Sequence, residues 1–418
     1  MSRKWNAREA GREVAINTLK KLNTPPIFFL LFSTIHYQKY GGFDEFLKGV
    51  WEVLPRGTPL VGCTVVGFMN NMGCYTRGCS ALAVSASNID VAVGIGENTK
   101  RSPKAAAKKC SDTIKKKLKE SRFKNRFSLN LISGPELIKI PGQGYKKFVN
   151  SGFISKFVTQ AFGVSQYLFQ KGLGREDEVF EEVIKNLPDF DMVMGTSIDD
   201  NRGIVNYQFC NEEVYTNSII SLGLSMDSGI HVGTSHGMKE TDVKFDITSL
   251  SRNKHIIYKI NNKLAVPELY KILDWPDNFL NEKTMHYRIL YYPISLKRHG
   301  REVPIVMPAI LKDYILTPCV IDKGEVKILT ISGRDLIQAI EENLHLSSFS
   351  QPDFGLFSTC STILQTMGNE IYIIHEKLLD YFKEKPFLMF FCAGEGSYSP
   401  KTDYTYANMS YNNAIFGS

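Results

Sequence analysis

The chain reads as an α/β protein of the α+β kind, with mixed sheets flanked by helices and a strand–helix–strand unit occurring twice. Three observations predict this. Amphipathic helical segments are repeatedly followed at once by short apolar strands. Residues 203–260 and 286–331 alternate β-branched and aromatic residues with Gly, Asn and Asp breaks, a pattern of antiparallel hairpins. Finally, Leu31-Phe32-Ser33-Thr34 recurs as Leu356-Phe357-Ser358-Thr359. About thirty residues beyond each copy lies a second apolar strand ending in Cys and small residues, through Cys63-Thr64-Val65-Val66-Gly67 in one case and Cys392-Ala393-Gly394 in the other. Long β-only stretches beside helix–strand pairs exclude a purely parallel, doubly wound sheet.

The elements follow in order. Asn6 stands three residues before Glu9, a capping-box spacing, and Ala10, Val14, Ala15, Thr18, Leu19 and Leu22 form one face of a first helix. Asn23 and Pro25-Pro26 end it, and residues 27–33 form a strand. A helix over 42–54 leads to a strand over 59–66. The same logic predicts helix 176–186 before strand 191–194, helix 333–345 before strand 354–359, and helix 369–385 before strand 387–392. The stretch 139–175 holds six glycines and is expected to be a loop-rich insertion.

With 418 residues, 43% hydrophobic and 22% charged, the chain exceeds one small core and matches globular averages. No apolar run approaches the ~18 residues that span a bilayer, and no leader pattern opens the chain, so a cytoplasmic protein is expected. Eight scattered cysteines without a CxxC pair read as reduced, mostly buried thiols, and no metal is expected. The formal charge of +7 is local: residues 101–126 hold eleven Lys or Arg against Asp112 and Glu120, leaving −2 for the rest. Ala107, Cys110, Ile114 and Leu118 lie at helical spacing there, so this is read as a docked helix with a solvated basic face. Without aromatic interleaving or a recognition motif, no nucleic-acid partner is expected, and no membrane partner is expected either.

Several motifs could carry chemistry. Gly233-Thr234-Ser235-His236-Gly237 matches the nucleophile-elbow pattern, but that motif needs a helix after the serine. Residues 238–247 read as turn then strand, so a hydrolase using Ser235 with His375 is an alternative only. Gly195-Thr196-Ser197-Ile198-Asp199-Asp200-Asn201 follows a buried strand. Its small residues allow a ligand close to the backbone, and its carboxylates can hold an ammonium group or turn a hairpin. His231 and His236 stand near this chemistry as ionisable groups. No P-loop, dinucleotide fingerprint or zinc-protease motif is present, so a binding protein rather than an enzyme is expected, without catalytic residues or a resident cofactor.

The order of these segments resembles the FIST family. Leu30-Leu31-Phe32-Ser33, Pro59 to Thr64, Asp191 to Asp200 and Gly233 to Gly237 are similar to its N-terminal domain. Residues 265–270, 354–359, Cys392-Ala393-Gly394-Glu395 and Asn408-Met409-Ser410 are similar to its C-terminal partner. The resemblance implies two FIST-like halves, over residues 1–250 and 251–418, in an intracellular sensory protein that binds small ligands, amino acids among them. The sequence shows no output domain, so signalling is expected to pass to a separate protein partner. One branch of the family is similar to haem-binding nitric-oxide sensors, which makes a haem-based gas sensor the first alternative. Met194 departs from the family's glycine, Met238 from its aromatic residue, and an arginine expected near Cys360-Ser361-Thr362 is missing. The expected ligand-binding residues are Cys63 and Gly67 at one strand end, Gly195, Ser197, Asp199 and Asp200 at a second, and Gly394 and Glu395 at a third. His236 is expected at the junction.

Overall fold

The computed structural model describes the chain except residues 141–143, 299, 348, 350 and 418. Mixed sheets flanked by helices make it an α+β protein, as the periodicities predict. The first helix, α1 (Ala7–Leu19), is capped by Asn6, whose side chain accepts from the Glu9 N–H at 3.1 Å. α2 (Phe43–Trp51) packs across α1. The basic segment forms α3 (Pro103–Lys117), with Ala106, Ala107, Cys110 and Ile114 buried and its lysines exposed. The stretch read as loop-rich holds instead a helix of 17 residues, α4 (Gly152–Leu168), capped by Ser151. Its glycines misled the sequence reading: Gly152 starts the helix and nothing crowds Gly163, so neither breaks it. Residues 141–143 of that stretch lie outside the described residues. α5 (Glu176–Asn186) follows.

The duplicated unit is present. Phe28–Ser33 runs parallel to Leu60–Thr64, and Pro352–Cys360 runs parallel to Phe387–Cys392, so Phe32 and Phe357 lie on equivalent strands. A third copy accompanies them. Asn125–Ser133 runs parallel to Asp191–Ser197, and α4 and α5 lie between them in the chain. Each leading strand also pairs antiparallel with an outer strand, Cys79–Val84, Ser218–Met226 or Tyr411–Gly417 respectively.

The three units exchange strands in a ring. Gly67–Asn70, from the first, pairs with Phe387–Cys392 of the third. Gln208–Cys210, from the second, pairs with Leu60–Thr64 of the first. Glu395–Ser399, from the third, pairs with Asp191–Ser197 of the second. Backbone bonds then join the three strand ends: Ile198 N–H to the Thr64 carbonyl, Val66 N–H to the Phe391 carbonyl, and Thr196 N–H to the Gly394 carbonyl, each 3.0 Å. Three of the four sheets therefore combine strands from both sides of residue 250. Residues 238–331, inserted between the second and third units, supply most of a nine-stranded sheet, to whose edge Phe148–Val149 adds in parallel. All eight cysteines are free thiols and seven are buried. No helix among the described residues is long and apolar enough to cross a membrane.

Candidate functional site

The ring of exchanged strands gathers most of the expected site residues, because the chain leaves the ends of Leu60–Thr64, Asp191–Ser197 and Phe387–Cys392 at one centre. Several of them serve packing there. Cys63 is fully buried in an apolar cluster with Phe32 and Phe390, and burial pushes its thiol pKa up. A Cβ on Gly67 would stand 2.7 Å from the Tyr75 carbonyl oxygen. At Gly195 a Cβ would stand 2.4 Å from the Phe390 ring and 2.7 Å from Ser358 Oγ, so the close approach here is made by the chain itself. Ser197 Oγ donates to Asn206 Oδ1 at 2.7 Å and accepts from Gln208.

Asp199 organises the following turn. Its Oδ1 accepts the N–H groups of Arg202 and Gly203, and its Oδ2 that of Ile204, all at 2.8 Å. Asp200 is exposed. His236 lies on the bend before Met238–Leu250, where burial lowers its pKa and favours neutral imidazole. Strand follows it where an elbow serine would need helix. Ser235 Oγ donates to the Ala339 carbonyl at 2.7 Å, and His375 Nε2 bonds the Asn70 carbonyl at 2.9 Å. Among the described residues no group of three or more His, Cys, Asp or Glu is placed to hold a metal ion.

Beyond the strand ends lies a cavity of about 180 Å³. Ile198 and Ala393 come from the central strand ends, and Leu137 and Ile138 from the segment after Asn125–Ser133. Val158 and Phe162 project from α4, while Ile289, Val306 and Leu311 come from the inserted region. Polar groups are few: Glu176, Lys146, Lys147, Asn201, Ser361, Thr362 and Gln365. A mostly apolar hollow with a few convergent polar groups is the usual form of a small-molecule site.

Glu176 is the chemically distinctive member. It opens α5 and is 2% exposed. Its Oε1 accepts the Tyr406 hydroxyl at 3.0 Å, while its buried Oε2 has no hydrogen-bond partner. Burial, with Asp177 beside it, raises its pKa to about 7 against the opposing pull of Tyr406 and Lys100. Gly394 makes room for it: a Cβ there would stand 2.9 Å from Tyr406 Oη and 3.0 Å from Glu176 Oε1.

A buried charge network lies close by. Lys100 Nζ is 3.4 Å from Glu136 Oε1 with both side chains enclosed, and burial lowers the Lys100 pKa to about 8. Lys171 closes on the other oxygen of Glu136. Lys147 Nζ donates to the Asn201 carbonyl at 2.5 Å, at the cavity wall. Glu395 is fully enclosed beside Ser410, whose N–H and Oγ donate to its Oε1 at 3.0 and 3.2 Å. Burial drives the Glu395 pKa well above the usual carboxylate range.

Sequence reasoning missed Glu176 because Glu176-Asp177-Glu178 resembles ordinary exposed acids in the first turn of a helix, where they suit the dipole. Only the folded chain turns the first two inward.

The fold and cavity together define a helix-flanked mixed-sheet protein with a mostly apolar hollow beyond its strand junction. The FIST N domain family model matches residues 27–263, more than half of the chain. The chain belongs to that family of sensory and signal-transduction domains. Comparison with curated proteins gave no match.

Proposed function

We propose that this protein is a non-catalytic sensor of a small apolar amino acid, which binds in the strand-end cavity and signals to a separate protein partner. The carrying observation is the enclosed Glu176 Oε2, an acceptor without a partner at a mostly apolar hollow. A buried, unsatisfied carboxylate oxygen is costly, and a ligand ammonium removes that cost with a charge-assisted hydrogen bond. Lys147, which also lines the cavity, suits the ligand carboxylate, and Leu137, Val158, Phe162 and Ile289 suit its side chain. A dry cavity of ~150 Å³ accepts a benzene-sized molecule, so about 180 Å³ suits a compact ligand of this kind. In this reading Asp199 acts indirectly, by shaping the turn that carries Asn201.

Sensing requires that the ligand favour one of two states. Val158 and Phe162 bring α4 into contact with the cavity contents, which makes this helix the element for ligand occupancy to bias. The test is mass spectrometry of the ligand retained on purification, then calorimetry with leucine, isoleucine, valine and phenylalanine against wild type and Glu176→Gln. Saturable binding weakened roughly ten- to hundredfold by the substitution is expected. No saturable binding of any of the four, or equal affinity in the variant, would overturn this reading. A haem absorbance band in the purified protein would favour the gas-sensor alternative instead.

A further inference from the structure

We propose that the outer face of α4 docks the protein on anionic phospholipid bilayers. This rests on a surface the cavity does not use. The inner face of α4 buries Ser155, Phe162, Ser165 and Gln166. Phe153, Phe157, Val164, Tyr167 and Leu168 recur at helical spacing on the outer side, and all are exposed, as is Phe169 just beyond the helix. Phe153 is 84% exposed and Phe169 70% exposed, so a ring stands clear of the surface at each end of a helix about 25 Å long.

Charge identifies the occupant. Residues 144–171 contain no Asp or Glu, and of their four lysines Lys156 is exposed on α4, while Lys146 and Lys147 line the cavity and Lys171 pairs with Glu136. Arg101 binds the C-terminal end of α4, donating to the carbonyls of Tyr167 at 2.7 Å and Leu168 at 3.1 Å, with its guanidinium 5.8 Å from the Tyr167 ring centroid. This joins the apolar stripe to the start of α3, the segment that makes the chain basic. An aromatic and aliphatic helix face beside clustered cations is the combination that seats a helix at an anionic interface. Projecting rings enter a lipid surface without a shaped counterpart, whereas a protein partner would have to supply a groove for each.

The test is co-sedimentation of the full chain with vesicles of phosphatidylcholine, with and without phosphatidylserine. Binding to the phosphatidylserine vesicles that falls with added salt is expected. The triple variant Phe153→Ser/Phe157→Ser/Phe169→Ser should lose tenfold or more, and Lys104→Gln/Lys156→Gln roughly fivefold per lysine, at unchanged melting temperature. Phe153→Trp, a conservative change, should show a blue-shifted emission on phosphatidylserine vesicles only. Sedimentation that ignores phosphatidylserine, or Trp emission that does not shift, would overturn the proposal. So would a concentration-dependent dimer abolished by the triple variant, which would assign the face to a second copy of the chain. Specific binding of an apolar acidic peptide without vesicle binding would assign it to a protein and overturn the proposal equally.

Discussion

Tyr406 donates its hydroxyl hydrogen to Glu176 at 3.0 Å, joining a strand near the C-terminus to the first residue of α5. The bond satisfies one carboxyl oxygen of Glu176 and leaves the other enclosed without a partner. Two elements 230 residues apart thus hold a titratable group at the cavity wall.

The consequence for stability has a definite sign. Glu176 titrates near 4.5 in the unfolded chain and about 7 in the folded one, so the folded state holds the extra proton between those values. Stability contributed by this group therefore declines as pH rises from 4.5 to about 7 and is level above that. Glu176→Gln removes the titration while keeping an acceptor for Tyr406. Denaturant unfolding across this range should show the variant gaining on wild type with pH, by about 3 kcal/mol at most above pH 7. A gap that does not change with pH would contradict the assignment.

Ligand binding should move protons by the same group. An ammonium beside Glu176 favours the carboxylate and lowers its pKa, so binding near pH 7 should release roughly half a proton per site. Calorimetry in buffers of differing ionisation enthalpy measures this directly. Glu176→Gln should abolish the release.

Asp199→Asn should destabilise the protein. The carboxylate accepts three backbone N–H groups through both oxygens, whereas an amide presents a donor to one of them. The expected cost is about 1–3 kcal/mol by urea unfolding. A neutral substitution would show that the turn does not depend on the charge.

Gly195→Ala should also destabilise, because its Cβ would meet the Phe390 ring, which is stacked on Phe32 with centroids 4.3 Å apart. Overpacking of this kind costs about 1–3 kcal/mol. Phe390→Leu in the same chain should recover part of the loss, and a double-mutant cycle should show favourable coupling.

What the sequence determined by itself was local. The Asn6 cap, the prolines after α1, the apolar stripe under the lysines of α3 and the short buried strands are written in patterns a few residues long. The repeated Leu-Phe-Ser-Thr made the first and third units recognisable as copies, and the order of motifs was enough to suggest the family. The second unit was not visible, because Leu129 to Ser133 lacks that tetrapeptide and α4 and α5 separate its two parallel strands. α4 itself was hidden by glycines that read as breaks.

Only the tertiary structure decided which strands change partners and what stands at their common end. Exchange among three units is a matter of long-range hydrogen bonding, and no local periodicity encodes it. The same holds for Gly195, whose missing side chain serves the Phe390 ring, and for Glu176. It is the first residue of α5, but its unpartnered oxygen and raised pKa arise from the closing of Tyr406, Gly394 and the inserted sheet over it. Burial is a property of the whole fold, and it is burial that turns an ordinary first-turn acid into the candidate ligand group.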